Sequence, residues 1–282
     1  MFNVIGLYVK DKEKMIEFFA QNLDFTLIDK ENQTLLVLGN QTIELREQSQ
    51  EIATLLSPFT KGYHLSFHHF AIITSNIEEA FNRIKKNGRF FISESPQYLP
   101  KWNKNAADIV AFKFYAPEHH PLEILQFPKG KGKDCWQSKD KLFLGIDHTA
   151  ISIRNTINSK FFYSLLNLEY AGSSVNYGIE QEKLDGIPNP IVKISGFKVK
   201  NGFDIETLEY IVPNTNEEIN NMEGKYWFIR LKVDDFNQVI EKIKRYTPKA
   251  IKEINNHTLT LIGFEQNAIL HDPDGHIIEV VS

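Results

Sequence analysis

The chain has 282 residues, 42% of them hydrophobic and 24% charged, with a formal net charge of -4. That length suits two domains rather than one small core, and the composition is that of an ordinary globular protein. The mildly acidic balance gives no field for nucleic acid and no stretch approaches eighteen apolar residues, so neither a nucleic-acid partner nor a membrane span is expected.

Met1 leads straight into FNVIGLYV with no charged leader, so a cytoplasmic location is expected. From Phe2, the segment FNVIGLYVKDKEKMIEFFAQNLDFTLI predicts an alternating strand, then an amphipathic helix; β-rich sequence follows and ends on TIELRE, with Glu44. From His68, HHFAIITSNIEEAFNRIKKNGRFFI predicts a strand, a short polar turn and a helix with apolar residues spaced by three and four. This second unit ends on PLEILQF, with Glu123. Residues 129–143 are Lys/Gly-rich, lack alternation and read as a connector. They hold the single cysteine, Cys135, which permits no internal disulfide and whose polar setting argues against a buried nucleophile.

The pattern then starts again. IDHTAISIRNTINSKFFYSLLNLEYA from Ile146 repeats the first opening, FF pair included, and its unit ends on TLEYIVP, with Glu209. YWFIRLKVDDFNQVIEKIKRYTPKAI from Tyr226 repeats the second opening and ends on IIEVVS, with Glu279. Self-similarity at a fixed interval decides architecture before any local motif does. Each unit reads β-α-β-β-β, which makes the chain α+β, with residues 1–128 as one pair of modules and 144–282 as the other.

The paired units, the phrase IDHTAISI with FFYSLLNL after it, and the ending DPDGHIIEVV resemble the vicinal oxygen chelate superfamily, which includes glyoxalase I, extradiol dioxygenases and antibiotic-resistance proteins. The resemblance implies glyoxalase-like half-open barrels, each built from two modules, with the first and last strand of each module offering one inward side chain. On this sequence the pattern selects Val4 and Glu44, His69 and Glu123, His148 and Glu209, and Phe228 and Glu279. The register is checked internally, because His148 precedes Phe162 by the same interval that separates Val4 from Phe18. Pairing modules within each half leaves both barrels one histidine short. Pairing the second module with the third gathers His69, Glu123, His148 and Glu209 in one barrel and leaves Val4, Glu44, Phe228 and Glu279 in a histidine-free one.

Two histidines and a carboxylate with open positions are the ligand pattern of a catalytic metal site. With Fe(II), the resemblance implies ring cleavage of a small substrate chelated through adjacent oxygens. With Glu209 as a fourth ligand and proton shuttle, it implies a glyoxalase I-like lyase using Ni or Zn; Mn would also suit such ligands. A metal-free small-molecule-binding protein is the third reading. His68 is expected on the opposite strand face from His69. His120, in the turn APEHHPLE, is a candidate proton carrier at the pocket rim. Trp102, Asn176, Tyr177 and Gln181 are candidate substrate contacts, and His271 and His276 are expected at the surface. Exposed strand edges would support a homodimer, although four modules in one chain already supply the pairings that a two-module protein obtains by dimerising.

Overall fold

A computed structural model of the chain describes residues 2–30, 33–47, 61–88, 90–214, 226–255 and 264–282. The first module runs β1 (Phe2–Val9), α1 (Lys12–Leu23), β2 (Thr26–Lys30), β3 (Gln33–Leu38) and β4 (Gln41–Glu47), and its end beyond Glu47 lies outside the described residues. The second has β5 (Phe67–Thr74), α2 (Ile77–Lys86), a two-residue β6 (Gln97–Tyr98), β7 (Val110–Tyr115) and β8 (Pro121–Gln126). The third has β9 (Phe143–Ser152), α3 (Thr156–Leu165), β10 (Glu169–Tyr177), an additional short helix α4 (Ile179–Asp185), β11 (Ile191–Lys198) and β12 (Asp204–Val212). The fourth has β13 (Trp227–Lys232), α5 (Phe236–Tyr246), β14 (Ile251–Asn255), β15 (Asn267–His271) and β16 (Ile277–Val281).

The repeat is visible in its helix starts. Asp11, Asn76, Asn155 and Asp235 cap α1, α2, α3 and α5, each side chain accepting from backbone N–H groups of the first turn. These short polar residues satisfy donors that a helix leaves unpaired, and so fix where strand becomes helix in every module. The additional helix α4 starts differently, at Gly178 with φ 96, a backbone conformation that favours glycine.

Two eight-stranded curled sheets result, and neither is built from one half of the chain. One sheet has the order β14-β15-β16-β13-β1-β4-β3-β2, the other β10-β11-β12-β9-β5-β8-β7-β6. The first and fourth modules therefore meet along the antiparallel β1–β13 seam, and the second and third along β5–β9. A large buried cluster joins the sheets through the helices. Phe18 and Phe19 of α1, for instance, face Phe114 of β7 and Phe70 of β5 at ring separations of 6.4 and 6.2 Å. No helix among the described residues is long and apolar enough to cross a membrane.

One expectation changes. His276 is buried, with Nε2 2.8 Å from the Ser152 carbonyl, because the DPDG turn before β16 folds in against the third module rather than facing out. The connector forms a 3-10 turn at Asp134–Gln137 that buries Trp136 and leaves Cys135 exposed.

Candidate metal centre

The β5–β9 seam carries the site. Across it Ala150 lies opposite His69, and His148 opposite Ala71. The flanking strands extend these two rows, since Glu206 of β12 pairs with Ala150, and Glu123 of β8 pairs with Ala71. Residues in one row share a face of the sheet. The rows thus read Glu206–Ala150–His69 and His148–Ala71–Glu123. Each places a fully buried alanine between two long polar side chains, and the methyl groups leave space over which imidazoles and carboxylates lean toward one another.

They converge closely. His69 Nε2 lies 3.0 Å from Glu123 Oε2 and 3.2 Å from His148 Nε2, and His148 Nε2 lies 3.8 Å from Glu123 Oε2. The three residues offer donor atoms all within 4.8 Å of one another, a spacing that bonds of about 2 Å to a single divalent ion can satisfy. All three side chains are buried, at the floor of a cavity of about 200 Å3. Leu99, Ile109, Leu125 and Leu208 supply apolar wall, and Asn176 and Gln181 supply amides.

The two histidines sit in opposite electrostatic settings. Burial, then Lys113 and His148, hold the His69 imidazole well below its ordinary pKa, so it is neutral and able to ligate. For His148, burial acts to lower the pKa, but Glu206, Asp147 and Glu123 together raise it to about 9. The His148 ring is oriented by Asp147, whose Oδ2 lies 3.1 Å from Nδ1, and Asp147 in turn accepts from Trp136 Nε1 at 3.1 Å. A carboxylate behind an imidazole is the usual support for a metal-binding histidine. Here the docked connector braces that carboxylate.

One expected site residue is displaced. Glu209 is turned away from the histidines: its carboxylate accepts from the Thr156 backbone N–H at 3.0 Å and from the Thr156 hydroxyl at the start of α3. Its counterpart at the centre is Glu206, with Oε2 3.6 Å from His148 Nε2 and a side chain 29% exposed toward the cavity. Burial raises the Glu206 pKa more than neighbouring His148 lowers it. The local signal is shared, and strand pairing with Ala150 selects Glu206. In the other modules the inward glutamate follows a buried Ile or Leu at Ile43–Glu44, Leu122–Glu123 and Ile278–Glu279, and in β12 that pair is Ile205–Glu206. Leu208–Glu209 mimics it three residues later on the other face.

The remaining candidates divide. Asn176 and Gln181 line the cavity, whereas Trp102 and Tyr177 do not; those two rings stack on each other at 4.4 Å, both about half exposed. Their expected place at the substrate pocket is not where they stand. His120 is likewise away from the rim: it is fully buried beside Tyr226, and burial pushes its pKa down to about 4. Lys113 was not anticipated. Its Nζ lies 3.8 Å from Glu123 Oε1 and 2.6 Å from Asp185 Oδ1, and its sequence context, the alternating VAFKFY, marks only a lysine on a strand. His68 departs from strand alternation. The β5–β9 register slips between Phe67 and His69, and this bulge brings the His68 ring to the His69 ring.

Residues 1–124 match the family model for the Glyoxalase/Bleomycin resistance protein/Dioxygenase superfamily. No curated protein matches the chain. Among solved structures, glyoxalase I from Zea mays superposes with a TM-score of 0.68 at 16% identity, covering 99% of this chain and 91% of that one. A candidate dioxygenase from Bacillus subtilis superposes with a TM-score of 0.58 at 10% identity, covering 99% and 83%. At those identities the likeness is one of fold, and it extends to both sheets. Over its first 124 residues the chain thus resembles the glyoxalase/bleomycin resistance protein/dioxygenase superfamily by sequence, and over its whole length it shares the fold of glyoxalase I.

Proposed function

We propose that the β5–β9 seam holds one divalent metal on His69, Glu123 and His148, and that the protein is an enzyme for a small substrate with two adjacent oxygens. The observation that carries this reading is the mutual approach of two imidazole nitrogens and a carboxylate oxygen within 4.8 Å at a cavity floor. When bound, the ion supplies Lewis acidity to both substrate oxygens. The chain's own groups supply the rest. Apolar walls exclude water, Asn176 and Gln181 offer hydrogen bonds, and Lys113, shared with Asp185, offsets part of the Glu123 charge.

The reaction best supported is proton transfer next to the chelated oxygens, of the glyoxalase type with nickel or zinc. Glu206 is the base: a carboxylate with a raised pKa, next to the ligands and open to the cavity. It takes a proton from the carbon bearing one oxygen and returns it to the neighbouring carbon, so the step needs no oxidant. The Fe(II) dioxygenase reading has its own observation, since among the described residues three form the tight donor cluster and Glu206 stands outside it.

Metal analysis of protein purified without chelator tests the shared core, with about one ion per chain expected and none in His148→Ala. Lactoylglutathione formation under nickel and oxygen uptake on catechols under Fe(II) then separate the two reactions. A chain that binds no divalent metal at micromolar concentration ends both.

A further inference from the structure

Behind His69 runs a chain of polar contacts that the chemistry above does not use. His69 Nδ1 lies 2.5 Å from His68 Nδ1, His68 Nε2 lies 2.9 Å from the Tyr210 hydroxyl, and that hydroxyl lies 2.9 Å from Asp185 Oδ2. All four side chains are buried. Asp185 also accepts from Lys113 Nζ at 2.6 Å and from Gln181 Nε2 at 2.7 Å. The additional helix α4 carries both Asp185 and Gln181, and it stops directly after Asp185 at Gly186, whose φ of 62 is left-handed.

The direction of every bond in this chain follows from its carboxylate end. Burial acts to raise the Asp185 pKa, but Lys113 and the other donors around it hold it below its ordinary value, so it is ionised and can only accept. The Tyr210 hydroxyl therefore donates to Asp185, which leaves its oxygen to accept from His68 Nε2–H. A neutral imidazole with its proton on Nε2 has a lone pair on Nδ1, and that lone pair accepts from His69 Nδ1–H. His69 is then left with its lone pair on Nε2, the atom that faces Glu123 and His148.

We propose that Asp185, Tyr210 and His68 are positioning residues that fix the tautomer of His69 and present its Nε2 lone pair to the cation before any cation binds. The inference rests on the metal-centre reading for its purpose, but its tautomers are defined without metal. It also separates the two histidine ligands: His148 is backed directly by the Asp147 carboxylate, whereas His69 is backed by a neutral imidazole two hydrogen bonds from its carboxylate. The bulge in β5 is what makes this possible, because regular alternation would place His68 on the opposite face.

Long-range 1H–15N correlation spectra of the full chain, metal-free and with histidine 15N-labelled, test it. His69 is expected as the Nδ1–H tautomer and His68 as the Nε2–H tautomer. Tyr210→Phe removes the oxygen between His68 and Asp185; both rings are then expected to give averaged tautomer shifts, and zinc affinity to fall about 10- to 100-fold with stoichiometry unchanged. His69 found with its proton on Nε2 in the wild-type metal-free protein overturns the proposal, as does a Tyr210→Phe variant with wild-type tautomers and zinc affinity. If that variant does not fold, the wild-type spectrum alone decides. A wild-type chain with the expected tautomers that binds no zinc overturns the proposed function and leaves the tautomer assignment standing.

Discussion

Glu206 and Glu209 lie on opposite faces of β12, and their surroundings separate two roles. Glu206 stands beside His148 at the cavity, and Glu209 tethers the first turn of α3. Glu206→Gln is expected to lower kcat about 10^2- to 10^4-fold, the usual worth of a general base, with metal content retained. Glu209→Gln is expected to keep kcat and to cost about 1 kcal/mol, the scale of a lost helix-cap interaction. Steady-state kinetics beside urea denaturation of both variants checks the division, which fails if the two effects are exchanged. His120 makes a pH prediction. Its folded pKa of about 4 lies below the ordinary value of 6.5. Between those values the unfolded chain binds a proton that the folded chain refuses, so stability falls as pH drops through the window and the loss is complete below about pH 4. At about 1.4 kcal/mol per unit the contribution is on the order of 3 kcal/mol. His120→Gln is expected to lose this slope between pH 6.5 and 4 in unfolding free energies, and equal slopes in both proteins would refute it.

The two central seams show what strand sequence does with one geometry. In the other sheet Val4 stands where His69 does, Phe228 where His148 does, Gly6 where Ala71 does and Arg230 where Ala150 does. Glu44 and Glu279 occupy the places of Glu123 and Glu206. There the Phe228 ring lies over Gly6, close enough that a Cβ on that residue would fall 1.9 Å from it. The Arg230 guanidinium fills the space between the acids, with NH1 2.6 Å from Glu44 Oε2 and Nε 3.0 Å from Glu279 Oε2; Arg46 bonds both carboxylates and stacks on Phe228. A cation is thus supplied covalently. Arg230→Ala leaves Glu44 and Glu279 with Arg46 alone and is expected to cost about 3–5 kcal/mol in chemical denaturation; a loss under about 1 kcal/mol would mean that water screens the acids. The module pattern, the cross-half pairing and the His69, Glu123, His148 set were legible because each rests on a repeat that can be aligned with itself. Glu206 was not, because Ile205–Glu206 and Leu208–Glu209 offer the same local pair and only pairing with Ala150 selects between them. His68 was not, because a bulge leaves no trace in alternation. Lys113 and Asp185 meet across 72 residues, one on a strand and one on a helix that no other described module contributes.

At the scale of the whole molecule, the proposed ion ties the two halves of the chain together. His69 and Glu123 come from the first half and His148 from the second, and both seams pair strands from opposite halves, so separation of the halves would break both sheets and the ligand set in one event. A ligand that binds only the folded state stabilises by mass action, about 2.7 kcal/mol at 100 times its dissociation constant. Zinc at that excess is therefore expected to raise the unfolding free energy of the full chain by about that amount in a single cooperative step, since no seam can open alone without losing strands from both halves. His69→Ala and His148→Ala should each remove the increment. Arg230→Ala, whose lesion lies in the other sheet, should keep it while starting from a lower baseline. Denaturation curves with and without zinc, followed by both tryptophan fluorescence and far-UV circular dichroism, make the comparison. A zinc-dependent shift in only one of two separated transitions would show that the sheets unfold independently, and that the centre braces one barrel instead of the chain.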